Sequence, residues 1–199
     1  NTSGRQSIPQ KKGRTWGQVL GAEFYPELFR RAKALDPKPL LYINEGSDFP
    51  GENEEVRAKY ESLIQQLLAA KAPLDGIGFM SHFGEASLSG MERNWKLLER
   101  FAKFGLAMQS TELDVGTGGD EEGQADYYRD FMTLFFSHPQ TVGLVMWGFW
   151  EGSHWFPERA LYRKNWEIKP CGKAWLELVK KQWWTEAKGS SDAKGAYTV

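Results

Sequence analysis

The chain reads as an α/β protein built on a parallel sheet, about half of an eightfold barrel. Two observations carry that reading: strand-like runs alternate with amphipathic helical segments, and the runs are apolar throughout, as in strands covered on both faces. A third observation sets the size. At 199 residues the chain is shorter than the ~250 of a complete eightfold barrel, and a leading helix followed by four strand-helix units makes half of one.

Residues 1–16 are polar, basic and punctuated by Gly and Pro, so they read as a loop or disordered arm ahead of a folded unit over 17–185. In the segment from Phe24 to Leu35, Leu28, Ala32 and Leu35 recur at helical spacing before the stop at Asp36-Pro37. A first strand is expected over Pro39 to Ile43. A helix follows from about Glu54 to Ala70, carrying Leu63, Leu67 and Leu68, then a strand over Ile77 to Met80. The next unit is a helix from about Met91 to Phe104, carrying Leu97, Leu98 and Phe101, and a strand from Leu106 to Thr111. A helix over about Glu122 to Phe136, a strand over Thr141 to Trp147 and a helix over about Gly172 to Trp183 complete the pattern. Residues 186–199 read as a linker or the start of a further module.

Composition narrows the function classes. The formal net charge of −1 points away from nucleic acid and from charged membrane surfaces, and no apolar run approaches the ~18 residues of a membrane span. No signal-peptide pattern is present. The chain does not begin with Met, so it reads as a processed product or an excised piece, and Asn1-Thr2-Ser3 is formally a glycosylation sequon. The single cysteine, Cys171, excludes an intrachain disulfide, and with three histidines no metal centre or cofactor is expected. Aromatic residues are the outlier: nine Trp, twelve Phe and seven Tyr. Half of the Trp residues suffice for core packing; the others offer flat platforms for the apolar faces of sugars. Trp16, Trp95, Trp166, Trp175, Trp183 and Trp184 are assigned to packing or to the surface.

Each expected strand ends in a polar, reactive cluster: Asn44-Glu45, His82, Glu112 with Asp114, and Trp147 through Trp155. In barrels of this kind the reactive side chains project from the C-terminal ends of the strands. Glu112, closing the run Gly105-Leu106-Ala107-Met108-Gln109-Ser110-Thr111, is a fit nucleophile for retaining glycoside hydrolysis, which needs a second carboxyl group about 5–5.5 Å away. Glu45 is the tempting partner, but one intervening strand places it two strands from Glu112, the wrong position for the acid/base. The bland alternatives are a buried structural carboxylate for Glu112, a satisfied core histidine for His82, and core packing for Trp147 and Trp155.

The elements Leu20-Gly21-Ala22-Glu23-Phe24, Leu41-Tyr42-Ile43-Asn44-Glu45, Leu74-Asp75-Gly76-Ile77-Gly78-Phe79-Met80-Ser81-His82, Thr111-Glu112-Leu113-Asp114, Gln124-Ala125, Trp147-Gly148 with Trp155, and Lys169-Pro170 together resemble one family. Over roughly residues 16–183 the chain is similar to the C-terminal half of a glycoside hydrolase family 10 endo-β-1,4-xylanase. The resemblance implies strands five to eight of a TIM (β/α)8 barrel. It implies Glu112 as nucleophile, His82 and Asp114 as its supports, Asn44 and Glu45 as substrate-binding residues, and Trp147 and Trp155 as walls around the sugar nearest the cleaved bond. It also implies a secreted or extracytoplasmic protein acting on β-1,4-linked xylan or a related glycan. Three residues depart from the family pattern: Met80 where Gln is usual, Glu45 where Asp is usual, and Trp150-Glu151 in place of a polar pair. Strands one to four, with the strand-four Asn-Glu that carries the acid/base, have no counterpart in the sequence.

Two function classes follow. In one, the chain supplies the nucleophile half of a xylanase-like hydrolase, inactive until a complementary N-terminal half-barrel joins it. In the other it is a catalytically incomplete relative that holds polysaccharide through an aromatic cleft. Self-association of two half-barrels is a third arrangement that would cover the open sheet edges.

Overall fold

The computed structural model describes residues 19–45 and 54–197; the arm expected over 1–16 and the sequon at Asn1 lie outside them. Helix α1 (Phe24–Leu35) precedes strand β1 (Tyr42–Glu45). Helix α2 (Glu54–Ala69) leads to β2 (Gly76–Phe79) and the short β3 (His82–Phe83), and α3 (Met91–Ala102) leads to β4 (Ala107–Val115). Helix α4 (Glu121–Ser137), β5 (Thr141–Met146) and α5 (Pro170–Glu177) follow, the last running on through a π-helical turn over Leu178–Gln182. Local chemistry sets several boundaries: the Asp120 carboxylate accepts the Gly123 N–H at the start of α4, and Pro170 opens α5, where its missing N–H costs nothing.

All pairings between the named strands are parallel, in the order β1-β2-β4-β3 with β5 also on β4. β2 pairs with the first half of β4, Gly76 to Phe79 against Ala107 to Ser110, and β3 pairs with its end, His82 and Phe83 against Asp114 and Val115. β2 and β3 are thus one barrel strand interrupted at Met80-Ser81, and the architecture is four strand positions, each backed by a helix. Within the described residues β1 has only β2 beside it and β5 only β4, so the sheet is an open arc with two free edges.

The two faces of the arc are built differently. Ile77, Phe79 and Met108 point into a fully buried layer with Ile64 and Leu67 of α2, Leu98 and Phe101 of α3, and Phe131 and Phe135 of α4. Phe79 stands edge-on to Phe101 at 5.2 Å and to Tyr60 at 6.4 Å. On the opposite face Gly76 and Gly78 leave room for neighbouring side chains. A Cβ at Gly78 would lie 2.6 Å from Asn44 Oδ1 and 2.8 Å from Thr111 Cγ2, so the absence of a side chain there lets the Thr111 hydroxyl reach Asn44 Oδ1 at 2.9 Å across the strand between them.

Tyr60 ties the helix layer to two strands at once. Its hydroxyl donates into the carbonyls of Ile43 on β1 and Gly78 on β2, each at 3.0 Å. Replacing Tyr60 by Phe keeps the ring packing and removes the donor, leaving buried carbonyls short of a partner. Chemical denaturation should show a loss of about 1–3 kcal/mol, with the slope against denaturant unchanged.

Candidate functional site

The sequence places Glu112 just after the end of a strand over Leu106 to Thr111; the structure instead runs β4 to Val115, with Glu112 inside it. The extension has a physical reason: β3 resumes pairing with β4 after the interruption at Ser81, which sits in the left-handed region at φ +64°. Similarly, the first strand is displaced from the expected Pro39–Ile43 to Tyr42–Glu45, because its ladder with β2 begins at Tyr42 opposite Gly76. The pairing of β4 with β5 jumps from Ser110–Leu144 to Leu113–Met146, so β4 carries one extra residue at Thr111-Glu112. Such a bulge re-aims the side chain at the point where it occurs. Buried Ser81 and Ser110 brace the same place, the Ser110 hydroxyl lying 3.0 Å from that of Ser81.

His82 joins the two carboxylates of β4. Its Nε2 lies 3.2 Å from Glu112 Oε2, within hydrogen-bond distance, and its Nδ1 lies 3.2 Å from Asp114 Oδ2, a close charge contact without good hydrogen-bond alignment. Burial is the largest single influence on the ring and opposes its charge. The pull of Asp114 and then of Glu112 together outweighs it, raising the His82 pKa above the ordinary 6.5.

Asp114 is fully buried and takes contacts from a different part of the chain. The Trp155 indole N–H donates to its Oδ2 at 2.6 Å and Arg159 Nη1 donates to its Oδ1 at 3.0 Å. Gly116 lets the Arg159 side chain pass, since a Cβ there would lie 2.8 Å from Nε. The guanidinium also lies 4.3 Å from the Phe156 ring centroid. His154, buried beside this group, accepts the Phe156 N–H through Nδ1 and keeps Nε2 3.9 Å from Asp114 Oδ2. Its pKa is lowered, chiefly by burial, so the pKa values of the two histidines around Asp114 are pushed in opposite directions.

The aromatic wall lies on the loop after β5. Trp155 and Trp147 pack on His82 with centroids at 4.9 and 5.8 Å while remaining about half exposed. They share a concavity of about 480 Å³ with Phe149, Trp150, Ser153 and Trp166. Glu112 is outside its wall, joined to it through His82. Asn44 meets Glu112's neighbour Thr111, whereas Glu45, by strand alternation, falls on the face it shares with Phe79. Met80 donates its backbone N–H to the Glu45 carbonyl at the strand interruption. Cys171 is buried, and burial pushes its thiol up to about 11, leaving it unreactive.

Two residues of this region were not assigned a site role from sequence. Arg159 gave no pattern to read, because its role depends on meeting an acid on another strand. Trp166 was placed with packing and surface residues, yet it lines the cleft; the turn-forming Lys164-Asn165 just before it is the one local signal. Among the described residues no group of three or more His, Cys, Asp or Glu side chains is placed to hold a metal ion, and no helix is long and apolar enough to cross a membrane.

Parallel strands alternating with helices, with a glutamate and an aromatic-walled cleft near their C-terminal ends, are the arrangement of one arc of a (β/α) barrel. The model of the family described as glycosyl hydrolase family 10 matches residues 3–178, and the chain belongs to that family. It is 32% identical over 181 residues to anti-sigma-I factor RsgI6 of Acetivibrio thermocellus, covering 89% of this chain and 22% of that protein. It is 30% identical over 183 residues to endo-1,4-beta-xylanase B of Thermotoga neapolitana, covering 84% of this chain and 51% of the xylanase. The fold matches the crystal structure of xylanase 10B from Thermotoga petrophila in complex with xylobiose, with a TM-score of 0.73 and 28% identity over 84% of this chain and 54% of that one. The chain thus spans about half the length of these two xylanases.

The site predicts a measurable titration. Among the three imidazoles, His82 should titrate above 6.5 by NMR, and Glu112→Gln should lower its pKa; Asp114→Asn should lower it further, Asp114 being the stronger of the two attractions. Because the folded-state pKa is raised, the stabilisation from His82 is full below 6.5 and is lost as pH rises through the folded value. The stability difference between the wild type and His82→Phe should therefore shift against His82 as pH rises through that value.

Proposed function

We propose that the chain supplies the nucleophile half of a retaining endo-β-1,4-xylanase-like active site. The observation that carries this reading is His82 set 3.2 Å from both Glu112 and Asp114, with Trp155 and Trp147 packed on its ring. In this reading Glu112 attacks the anomeric carbon and forms the glycosyl-enzyme ester as the bond to the leaving oxygen breaks. A carboxylic acid about 5–5.5 Å away protonates that oxygen and then activates the water that releases the sugar with retention.

Glu45 is a poor source of that proton. Its strand is two positions from β4, roughly 10 Å at the usual ~4.8 Å spacing, and its side chain alternates away from Asn44. The acid/base is instead assigned to a complementary N-terminal half-barrel, and the open edges of β1 and β5 are the surfaces it would pair with. Exposed Val142 and Val145 on β5 fit such a covered edge. Without the acid, the rate should fall by about 10²–10⁴.

A second reading draws on the relative named as an anti-sigma factor, in which the matched region is 22% of the protein. In this reading the cleft of the present chain recognises glycan without turning it over.

The test is reconstitution. The chain mixed with a polypeptide carrying four preceding strand-helix units should cleave xylan internally, and NMR of the first products should show the β-anomer. Glu112→Gln should reduce turnover to background while oligosaccharide binding stays within a few-fold. Turnover that survives Glu112→Gln would remove Glu112 from the nucleophile role; glycan binding with no turnover in the reconstituted barrel would favour the recognition reading.

A further inference from the structure

Trp166 stands in a conformation that needs explaining. Its φ of +69° is the left-handed region, which bulky residues seldom adopt and which costs free energy wherever it occurs. The turn that holds it is defined: the Trp166 N–H donates to the Arg163 carbonyl, and Tyr162 bridges to Ile168 across the loop. The strain is not repaid by burial, since the indole is 60% exposed. It is instead stacked on Trp150, with centroids 5.4 Å apart and planes within 13°. Trp150 is fixed in turn by its own N–H, which donates to the Lys164 carbonyl at 3.2 Å. One face of Trp166 is therefore backed by a held ring, Phe149 and Tyr162 stand beside it with ring centroids 6.3 Å away and planes tilted by 45° and 56°, and its exposed remainder lies in the cleft that also contains Trp147 and Trp155.

We propose that Trp166, braced by Trp150, is an outer sugar-binding platform of this cleft, engaging a pyranose of a β-1,4-linked chain beyond the sugar held by Trp147 and Trp155. The proposal rests on the glycan reading of the cleft given above. A rigid indole takes the apolar face of a pyranose with little loss of conformational freedom. The hydroxyl of exposed Ser153 in the same wall can donate to and accept from the sugar's equatorial hydroxyls. The occupant is a chain of several sugars, because the platform is continuous with the walls beside His82.

Calorimetry of the 199-residue chain with xylobiose, xylotetraose and xylohexaose tests this. Trp166→Gly suits the purpose, since glycine accepts φ +69° without strain and the loop should keep its fold. It should weaken the longest oligosaccharide by about two- to tenfold and leave xylobiose unchanged. Trp166→Phe should recover most of the lost affinity. Affinity in Trp166→Gly equal to wild type at every length, with Trp155→Ala weakening all of them, would overturn the outer platform and leave the glycan reading standing. Affinity in Trp166→Phe that stays at the glycine level would overturn stacking as its basis. Absence of binding to any of the three by the wild type would overturn the glycan reading and the platform with it.

Discussion

A carboxylate removed from water must be compensated by its neighbours, and Asp114 is compensated from two directions. His82 approaches from the adjacent strand; Trp155 and Arg159 come from the loop after β5. Breaking a buried charge pair by removing one member typically costs about 3–5 kcal/mol, so this cluster links the position of the aromatic loop to the position of the strand. Glu112 inherits its geometry from the same arrangement, because His82 cannot satisfy Asp114 without also standing beside Glu112. The aromatic wall, the histidine and Glu112 are in this sense one unit, organised around a side chain that is closed off from solvent in the folded chain.

Backbone irregularity does the rest. A regular β4 would alternate its side chains evenly between the helix layer and the interior of the arc. The shift in pairing around Thr111-Glu112 and the left-handed Ser81 opposite it break that alternation at Glu112. Below this point β4 keeps an even register with β2, although its pairing with β5 shifts once more between Met108 and Gln109, and Gly78 lets Asn44 and Thr111 meet over the sheet. The lower sheet sets the frame; the irregular upper part uses it.

Much of this was legible from the residues. The order of helices and strands followed from apolar runs such as Leu106-Ala107-Met108 and helical repeats such as Leu97, Leu98 and Phe101, because burial on one side of a helix or both sides of a strand leaves a periodic trace. Glu112, His82 and Asp114 stood out by their place after those runs, and the structure brings all three together. The extent of β4 was not legible: it depends on pairing with His82-Phe83, a two-residue strand too short to leave a pattern. Arg159 was hidden for a related reason, since only the folded chain places it 3.0 Å from Asp114. Trp166 is exposed and stacked on Trp150, in keeping with its assignment to packing or the surface, but its place in the wall of the cleft was not legible, because aromatic residues in a polar loop look alike whether they serve a surface or a cleft.

The separation of Asp114 from its compensating partners along the chain has a consequence for synthesis. Trp155 lies 41 residues further on and Arg159 lies 45. At about 5–20 residues per second, the ribosome takes roughly two to nine seconds to add the segment that neutralises a carboxylate already made. During that interval β3 and β4 can meet, but the upper end of the sheet has no means of closing over Asp114. The cleft consequently cannot be assembled before its aromatic loop is made, and the nascent chain carries a wet, unfinished carboxylate until that loop leaves the exit tunnel.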